Sequence, residues 1–403
     1  MKIIDSIVTQ AAGIAALRRE IHSYPELCFE EVRTADLVAR TLTEWGIPIH
    51  RGLAKTGVVG IVKGRDGGAN GRAIGLRADI DALPLQEQNT FAHASKVPGK
   101  MHACGHDGHT AMLLAAAQHF AKNRNFEGTV YLIFQPAEEG GGGARLMIEE
   151  GLFEKFPMDA VFGMHNWPGL PVGKFSASPG PVMAGRSDFK MTIHGKGSHA
   201  ALPHTGIDPV TVACQVVQAF QTLMSREKKA ADAAVLSVTM IHAGDATNIV
   251  PDFCEMQGTI RTYTYPVMDM LERRCREILE HTCAAFGAQG EAEFVRVYPP
   301  TVNHVKEAEF AARVLANFLG PENVLEQEPA MASEDFSFML ERKPGCYIFI
   351  ANGEGDHRAH DASGGPGAGP CALHNPSYDF NDDLIPLGAT DWVRLAETWL
   401  AAK

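Results

Sequence analysis

Thr129-Val-Tyr-Leu-Ile-Phe-Gln-Pro-Ala-Glu-Glu139 reads as a strong apolar strand that stops at a proline and two carboxylates. A strand apolar at nearly every position is covered on both faces, as in a parallel sheet. An Ala/Leu-rich helix from about Gly108 to Lys122 comes before it, and a glycine run, Gly140 to Gly143, leads into a helix through Glu150. Working outward, Thr56 to Lys63, Arg72 to Asp79 and Asp159 to Met164 read as further strands, and Ile3 to His22 and Glu30 to Trp45 as helices. This alternation predicts an α/β fold with a mostly parallel (mixed) sheet and flanking helices.

The pattern changes near Ser187. Asp188-Phe-Lys-Met-Thr-Ile-His194 alternates, with Phe189, Met191 and Ile193 on one face. Ala234 to Ala243 and Phe253 to Tyr263 alternate too, with helices at Pro209 to Ser225 and Pro266 to Gly287. Half-exposed strands with two helices predict a smaller α+β domain, residues 187–300, inserted into a larger one made of 1–186 and 301–403. The larger one resumes with a helix from Lys306 to Leu319, a strand from Cys346 to Ala351 and a terminal helix from Pro386 to Ala401.

A chain of 403 residues is too long for one ordinary core. Its net charge of -12 argues against a nucleic-acid surface or a polybasic membrane contact. No apolar run is long enough to span a bilayer. The start, Met1-Lys-Ile-Ile-Asp-Ser-Ile-Val8, meets charge before any leader-like core, and the 8 cysteines form no Cys-x-x-Cys pair. Both features point to the cytoplasm.

Lys100-Met-His-Ala-Cys-Gly-His-Asp-Gly-His-Thr110 packs His102, Cys104, His106, Asp107 and His109 between two hydrophobic elements. Imidazole and thiolate both bind divalent transition metals, although short Cys/His patterns also occur as ordinary loop and cap residues. Further candidate donors lie at Glu138-Glu139, His165 and His374, mostly just after strands, where an open parallel sheet forms its working crevice. Of two adjacent carboxylates, one can bind metal while the other acts as general base towards water. The plainer alternative is that Glu138 and Glu139 cap the following helix. The glycine run lacks any phosphate-cradle signature and reads as permissive backbone beside the site. His357 and His360, in a Gly/Pro-rich loop, read as solvated. In the insert, His199, Asn248 and Arg261 form a second polar set, and Arg261 opposes the apolar register of Met256 and Ile260. A guanidinium there suits a substrate carboxylate, or is simply an exposed strand arginine.

Taken together, Met101 to His109, Gln135-Pro-Ala-Glu-Glu139, Gly163-Met-His-Asn166, Gly197-Ser-His-Ala200 and Leu373-His-Asn-Pro-Ser-Tyr-Asp-Phe380 resemble the metal-dependent amidohydrolases related to hippurate hydrolase. The resemblance covers nearly the whole chain. It implies a catalytic domain with an inserted lid or dimerisation domain, and a homodimer or higher homo-oligomer. It implies metal ligation by Cys104, His106, Glu139, His165 and His374, with Glu138 as general base and then acid. It also implies that His199, Asn248 and Arg261 approach the substrate, in some members from the opposite subunit. Two departures stand out. Where wider relatives carry His-x-Asp, this chain has Arg77-Ala-Asp79, which removes one ligand and leaves Asp79 as a supporting catalytic residue. Cys104 stands where wider relatives use a bridging Asp, which leaves one or two ions of zinc, manganese, cobalt or nickel all compatible.

The expected reaction is hydrolysis of the amide of an N-acyl amino acid. The alternatives are a dipeptidase or aminopeptidase on the same centre, a Cys104 nucleophile with His106 as base, and a metal-storing or peptide-binding protein that has lost turnover. Phe336, Phe338, Met183 and Trp167 are candidate pocket walls or core residues.

Overall fold

The computed structural model describes residues 1–355, 357 and 372–401. His360 lies outside them. By internal contacts the chain forms two compact units. One comprises Met1–Gly180, Val302–Glu328 and Asp335–Lys403. The other comprises Pro181–Thr301 and the short return Pro329–Glu334, which no sequence pattern marks.

The larger unit begins with α1 (Asp5–Ser23), α2 (Val32–Glu44), β1 (Ile49–Leu53), β2 (Gly57–Lys63), β3 (Ala73–Asp79), α3 (His106–Lys122) and β4 (Thr129–Gln135). It continues with α4 (Gly143–Glu149), α5 (Leu152–Lys155), β5 (Ala160–Trp167) and β6 (Phe175–Ser176). With β7 (Gly180–Met183) the chain enters the smaller unit, which continues with β8 (Gly185–His194), β9 (Ser198–His199), α6 (Pro209–Thr222), β10 (Ala234–His242), β11 (Ile249–Val250), β12 (Phe253–Thr262), α7 (Tyr265–Ala285) and β13 (Gln289–Tyr298). β14 (Thr301–Asn303) leads back to α8 (Val305–Leu319), α9 (Ser337–Arg342), β15 (Gly345–Ala351) and α10 (Leu384–Trp399).

The main sheet runs β1-β2-β4-β3-β5-β15-β6. Its middle strands β4, β3, β5 and β15 are parallel, whereas β1, β2 and β6 join antiparallel, so the sheet is mixed with a parallel centre. Every residue of β3 and β15 is buried, as a strand covered on both faces requires. β1 has no counterpart in the sequence pattern, because Gly52 interrupts a short and half-exposed run. One face packs on α1, α2, α3, α8 and α10 through Ile14, Val38, Leu114, Leu315 and Trp392. α3 is apolar nearly all round and is correspondingly buried.

The parallel centre is what positions the chemistry. β3, β4 and β5 point the same way, so Asp79–Asp81, Glu138–Glu139 and His165 arrive at one sheet edge. One expectation changes here. The strand read as Asp159 to Met164 runs on through Trp167, because its backbone keeps pairing with β15 at Phe349, Ile350 and Ala351. His165 therefore sits within the strand, where its position is fixed by the sheet.

The smaller unit is an antiparallel sheet, β10-β12-β8-β13. β8 alternates as its sequence predicts, with Phe189, Met191 and Ile193 buried with Val212, Val216 and Phe220 of α6 and Leu271 and Cys275 of α7. β10 is an edge strand, and Met240 and Ile241 stand exposed on it.

Candidate metal centre

Each donor is placed by a specific local device. Gly105 has φ +91°, and a Cβ there would fall 2.3 Å from Asn166 Nδ2. Only glycine lets this turn pack so closely and start α3 at His106, two residues earlier than the sequence pattern suggests. Asn166 Nδ2 in turn donates to the Cys104 carbonyl at 2.7 Å. His374 is held in the left-handed region, φ +61°, with its N–H on the Ala103 carbonyl at 2.7 Å. Glu138 and Glu139 follow Ala137, another left-handed residue at φ +56°. The helix-cap alternative for the two glutamates does not occur: α4 starts at Gly143 with no side-chain cap. Nor is the glycine run merely permissive, because a Cβ at Gly143 would lie 1.8 Å from the Pro136 carbonyl oxygen.

The structure brings the five expected donors into overlapping triples. Ligand atoms of Cys104, His106 and His165 lie within 4.8 Å of one another, as do those of Cys104, Glu139 and His374, and those of His106, Glu138 and Glu139. Cys104 belongs to two of the triples that could hold an ion, and its sulfur suits a divalent transition metal. Cys104 and His106 are buried, Glu139 is half-buried and His374 is exposed, so the group opens to solvent on one side.

The ring orientations fit a cation. His106 turns Nδ1 to the Asp81 carbonyl at 2.9 Å and to Asp81 Oδ1 at 3.2 Å. Its Nε2 is buried and makes no hydrogen bond among the described residues. His165 turns Nδ1 to the Asn166 carbonyl at 2.6 Å and aims Nε2 at Cys104 Sγ, 3.3 Å away. Histidine ligands commonly donate one ring N–H to a carbonyl or carboxylate and present the other nitrogen to metal. Glu139 Oε1 lies 3.2 Å from His374 Nε2 but outside hydrogen-bond geometry, as for two donors facing a shared ion.

The electrostatics agree. Burial, then Glu139 and Glu138, push the Cys104 thiol well above its usual range. A free thiolate nucleophile is disfavoured there, whereas a bound cation reverses the balance. Burial works against charge on His106, but Asp79 and Asp81 outweigh it and hold the ring up at about 10.

Two further residues of the motif, Asp107 and His109, are held in structural contacts. Asp107 is buried between Arg18 at 3.0 Å and His22 at 2.9 Å. His109 uses both nitrogens, with Nδ1 on Asp79 at 2.6 Å and Nε2 accepting the Asn166 N–H at 2.9 Å. Asp79 also takes Arg77 at 2.8 Å, and Arg77 reaches on to Asp335 at 3.0 Å. Asp81 stands beside Asp79 on His106 and also accepts the Glu139 N–H at 2.9 Å. Asp81 was legible only as one more acid in the turn after β3. Phe336 and Met183 are core residues, Trp167 packs on Phe349, and Phe338 lies under Arg145.

Within the smaller unit, His199 and Asn248 meet: His199 pairs with Ile249, and Ala200 donates to the Asn248 carbonyl at 3.0 Å. Arg261 does not join them. It lies at the far end of β12 from Phe253, eight residues of strand or about 26 Å away. There its guanidinium reaches only neutral oxygens among the described contacts, Ser333 Oγ at 2.9 Å and Thr259 Oγ1 at 3.2 Å.

The sequence profile described as peptidase family M20/M25/M40 matches residues 75–398. The chain belongs to that family. It is 38% identical to a hippurate hydrolase of Campylobacter jejuni over 99% of this chain and 100% of that one. It is 40% identical to an N-acetylcysteine deacetylase of Bacillus subtilis over 94% of this chain and 95% of that one. A solved Bacillus subtilis protein described as a dinuclear metal-binding peptidase of family M20 superposes with a TM-score of 0.82 at 34% identity, covering 98% of this chain and 99% of that one. Membership makes this chain a metal-site hydrolase, and no helix among the described residues is long and apolar enough to cross a membrane.

Proposed function

We propose that this enzyme hydrolyses the amide bond of N-acyl amino acids, releasing a carboxylic acid and a free amino acid. The observation that carries the reading is the set of overlapping donor triples with Glu138 beside Glu139. The names of the relatives, hippurate hydrolase and N-acetylcysteine deacetylase, supply the substrate class. Cys104, His106, Glu139, His165 and His374 would hold one or two divalent ions, of which zinc, manganese, cobalt and nickel suit this N/O/S set. Such an ion supplies Lewis acidity, polarising the amide carbonyl and lowering the pKa of water towards neutrality.

Glu138 takes the proton of the attacking water and delivers it to the departing amine. Asp79 fixes His109 and, with Asp81, surrounds His106 with negative charge. His199 and Asn248 stabilise the oxyanion, and Arg261 grips the free carboxylate of the amino acid. The distance along β12 separates Arg261 from His199 and Asn248 in one chain, which supports a homodimer in which the two sets come from different subunits. The smaller unit would then be the dimerisation and lid domain, with exposed Met240 and Ile241 on the β10 edge as its apolar seam. The seven described cysteines are all unpaired, which fits a reducing cytoplasm.

The test compares chelated and metal-restored enzyme on hippurate and N-acetyl amino acids. Activity lost on chelation and regained with Zn²⁺ or Mn²⁺ is expected; turnover indifferent to tight chelation sinks the reading. A peptidase acting on free-amine substrates is the second reading, carried by the description of the Bacillus structure. Faster cleavage of dipeptides than of their N-acetylated forms would select it.

A further inference from the structure

Glu31 lies outside the donor cluster, in the loop ahead of α2, yet its side chain is fully buried. Its Oε1 accepts two main-chain N–H groups, from Phe29 and from Ala137, both at 2.9 Å. Its Oε2 accepts the Thr56 hydroxyl at 2.7 Å. The two N–H donors share a rare property: Phe29, at φ +63°, and Ala137, at φ +56°, are both non-glycine residues in the left-handed region. Such residues persist only where their surroundings over-determine them. Ala137 is also the residue that turns the chain from β4 into Glu138 and Glu139.

We infer that Glu31 is a positioning residue for the reaction: its carboxylate pins Ala137 in the left-handed turn that aims Glu138 and Glu139 at the metal site. Two further contacts show why this turn needs an external brace. The N–H groups of Glu139 and Ala144 go to Asp81 and Asp335, each at 2.9 Å. The turn hangs from buried carboxylates at 137, 139 and 144 as well as from two main-chain bonds of its own, Gly140 N–H to the Glu138 carbonyl at 2.7 Å and Gly143 N–H to the Ala137 carbonyl at 3.1 Å. Glu31 holds the earliest of these points, where an error in φ swings both following side chains. Phe29 joins the same brace through its ring, which would lie 3.0 Å from a Cβ at Gly141.

The inference rests on the reading of Glu139 as a ligand and Glu138 as base, and the test separates the two. Zn²⁺ affinity is measured by competition with a chromophoric chelator, on purified protein checked for folding by circular dichroism. Glu31→Ala is expected to weaken Zn²⁺ binding about tenfold or more, as for other groups that orient ligands, and to lower kcat with little change in KM. Glu31→Gln keeps an acceptor for both N–H groups and is expected to stay within about threefold of the parent. Adding Ala137→Gly to Glu31→Ala should recover part of the affinity, because glycine enters the left-handed region without strain. A folded Glu31→Ala protein with parent affinity and kcat overturns the inference. If Glu31→Ala does not fold, a Glu31→Gln protein with Zn²⁺ affinity as poor as that of Glu139→Ala overturns it too, since the retained acceptor would then count for nothing. If Glu139→Ala itself leaves Zn²⁺ affinity unchanged, it is the ligand reading that fails.

Discussion

Asp81 joins two donors: its carbonyl and Oδ1 face His106 Nδ1 at 2.9 and 3.2 Å, and its Oδ2 accepts the Glu139 main-chain N–H at 2.9 Å. One buried carboxylate thus sets a ring orientation and a backbone position together. Asp81→Ala is expected to weaken Zn²⁺ binding roughly 10–100-fold, read by chelator competition. Parent affinity in a folded variant would show that His106 is oriented by something else.

Glu138 is buried, its Oε1 accepts the Asp335 N–H at 3.4 Å, and it lies in one donor triple with His106 and Glu139. Glu138→Gln should lower kcat by about 10²–10⁴-fold while the metal content stays that of the parent. Elemental analysis alongside steady-state kinetics checks both halves. Lost metal would recast Glu138 as a ligand, and a parent rate would remove it from the chemistry.

The separation of Arg261 from His199 along β12 makes a complementation experiment decisive. Arg261→Ala and His199→Ala proteins should each be nearly inactive. When they are co-expressed as mixed dimers, one of the two sites regains an intact Arg261 and an intact His199, so about half the parent activity per mixed dimer is expected. No recovery in verified mixed dimers would mean that both residues serve the site of their own subunit, or that one serves none.

Asp391, on α10, is fully buried and neither oxygen has a hydrogen-bond partner among the described residues. Burial pushes its carboxyl up to about 8. The folded state therefore keeps a proton that the unfolded chain, with an ordinary carboxylate near 3.9, releases. Stability is lost as pH rises from about 4 to about 8, by at most about 1.4 kcal/mol per unit from this group. Asp391→Leu should raise the unfolding midpoint at pH 8, with the gain shrinking towards pH 4. A gain that does not depend on pH would argue for packing instead.

The donors were legible because their chemistry is rare: cysteine and histidine in one turn, paired glutamates after a strand, and a histidine after another. The parallel centre was legible because β4 and β15 are apolar at nearly every position and β3 is apolar as far as Leu76. What escaped were groups whose work is done on the backbone. Glu31 and Asp81 are common residues in polar surroundings, and only the folded chain shows which N–H groups they receive. The brief return of Pro329–Glu334 to the smaller unit carries no periodicity at all. Arg261 was read correctly as lying on the polar face of β12, but the polar set was read as one group without counting the eight residues of strand between Phe253 and Arg261.

β15 lies between β5 and β6 in the sheet, although it follows β5 by roughly 180 residues of chain. At bacterial or eukaryotic ribosome speeds, β5 waits on the order of 10–35 s for that neighbour. During this interval one long apolar edge is open, while the smaller unit, its return Pro329–Glu334 included, is synthesised before β15 begins at Gly345. Nascent-chain aggregation, and any need for a chaperone, should therefore centre on the β5 margin and ease only once translation passes Ala351.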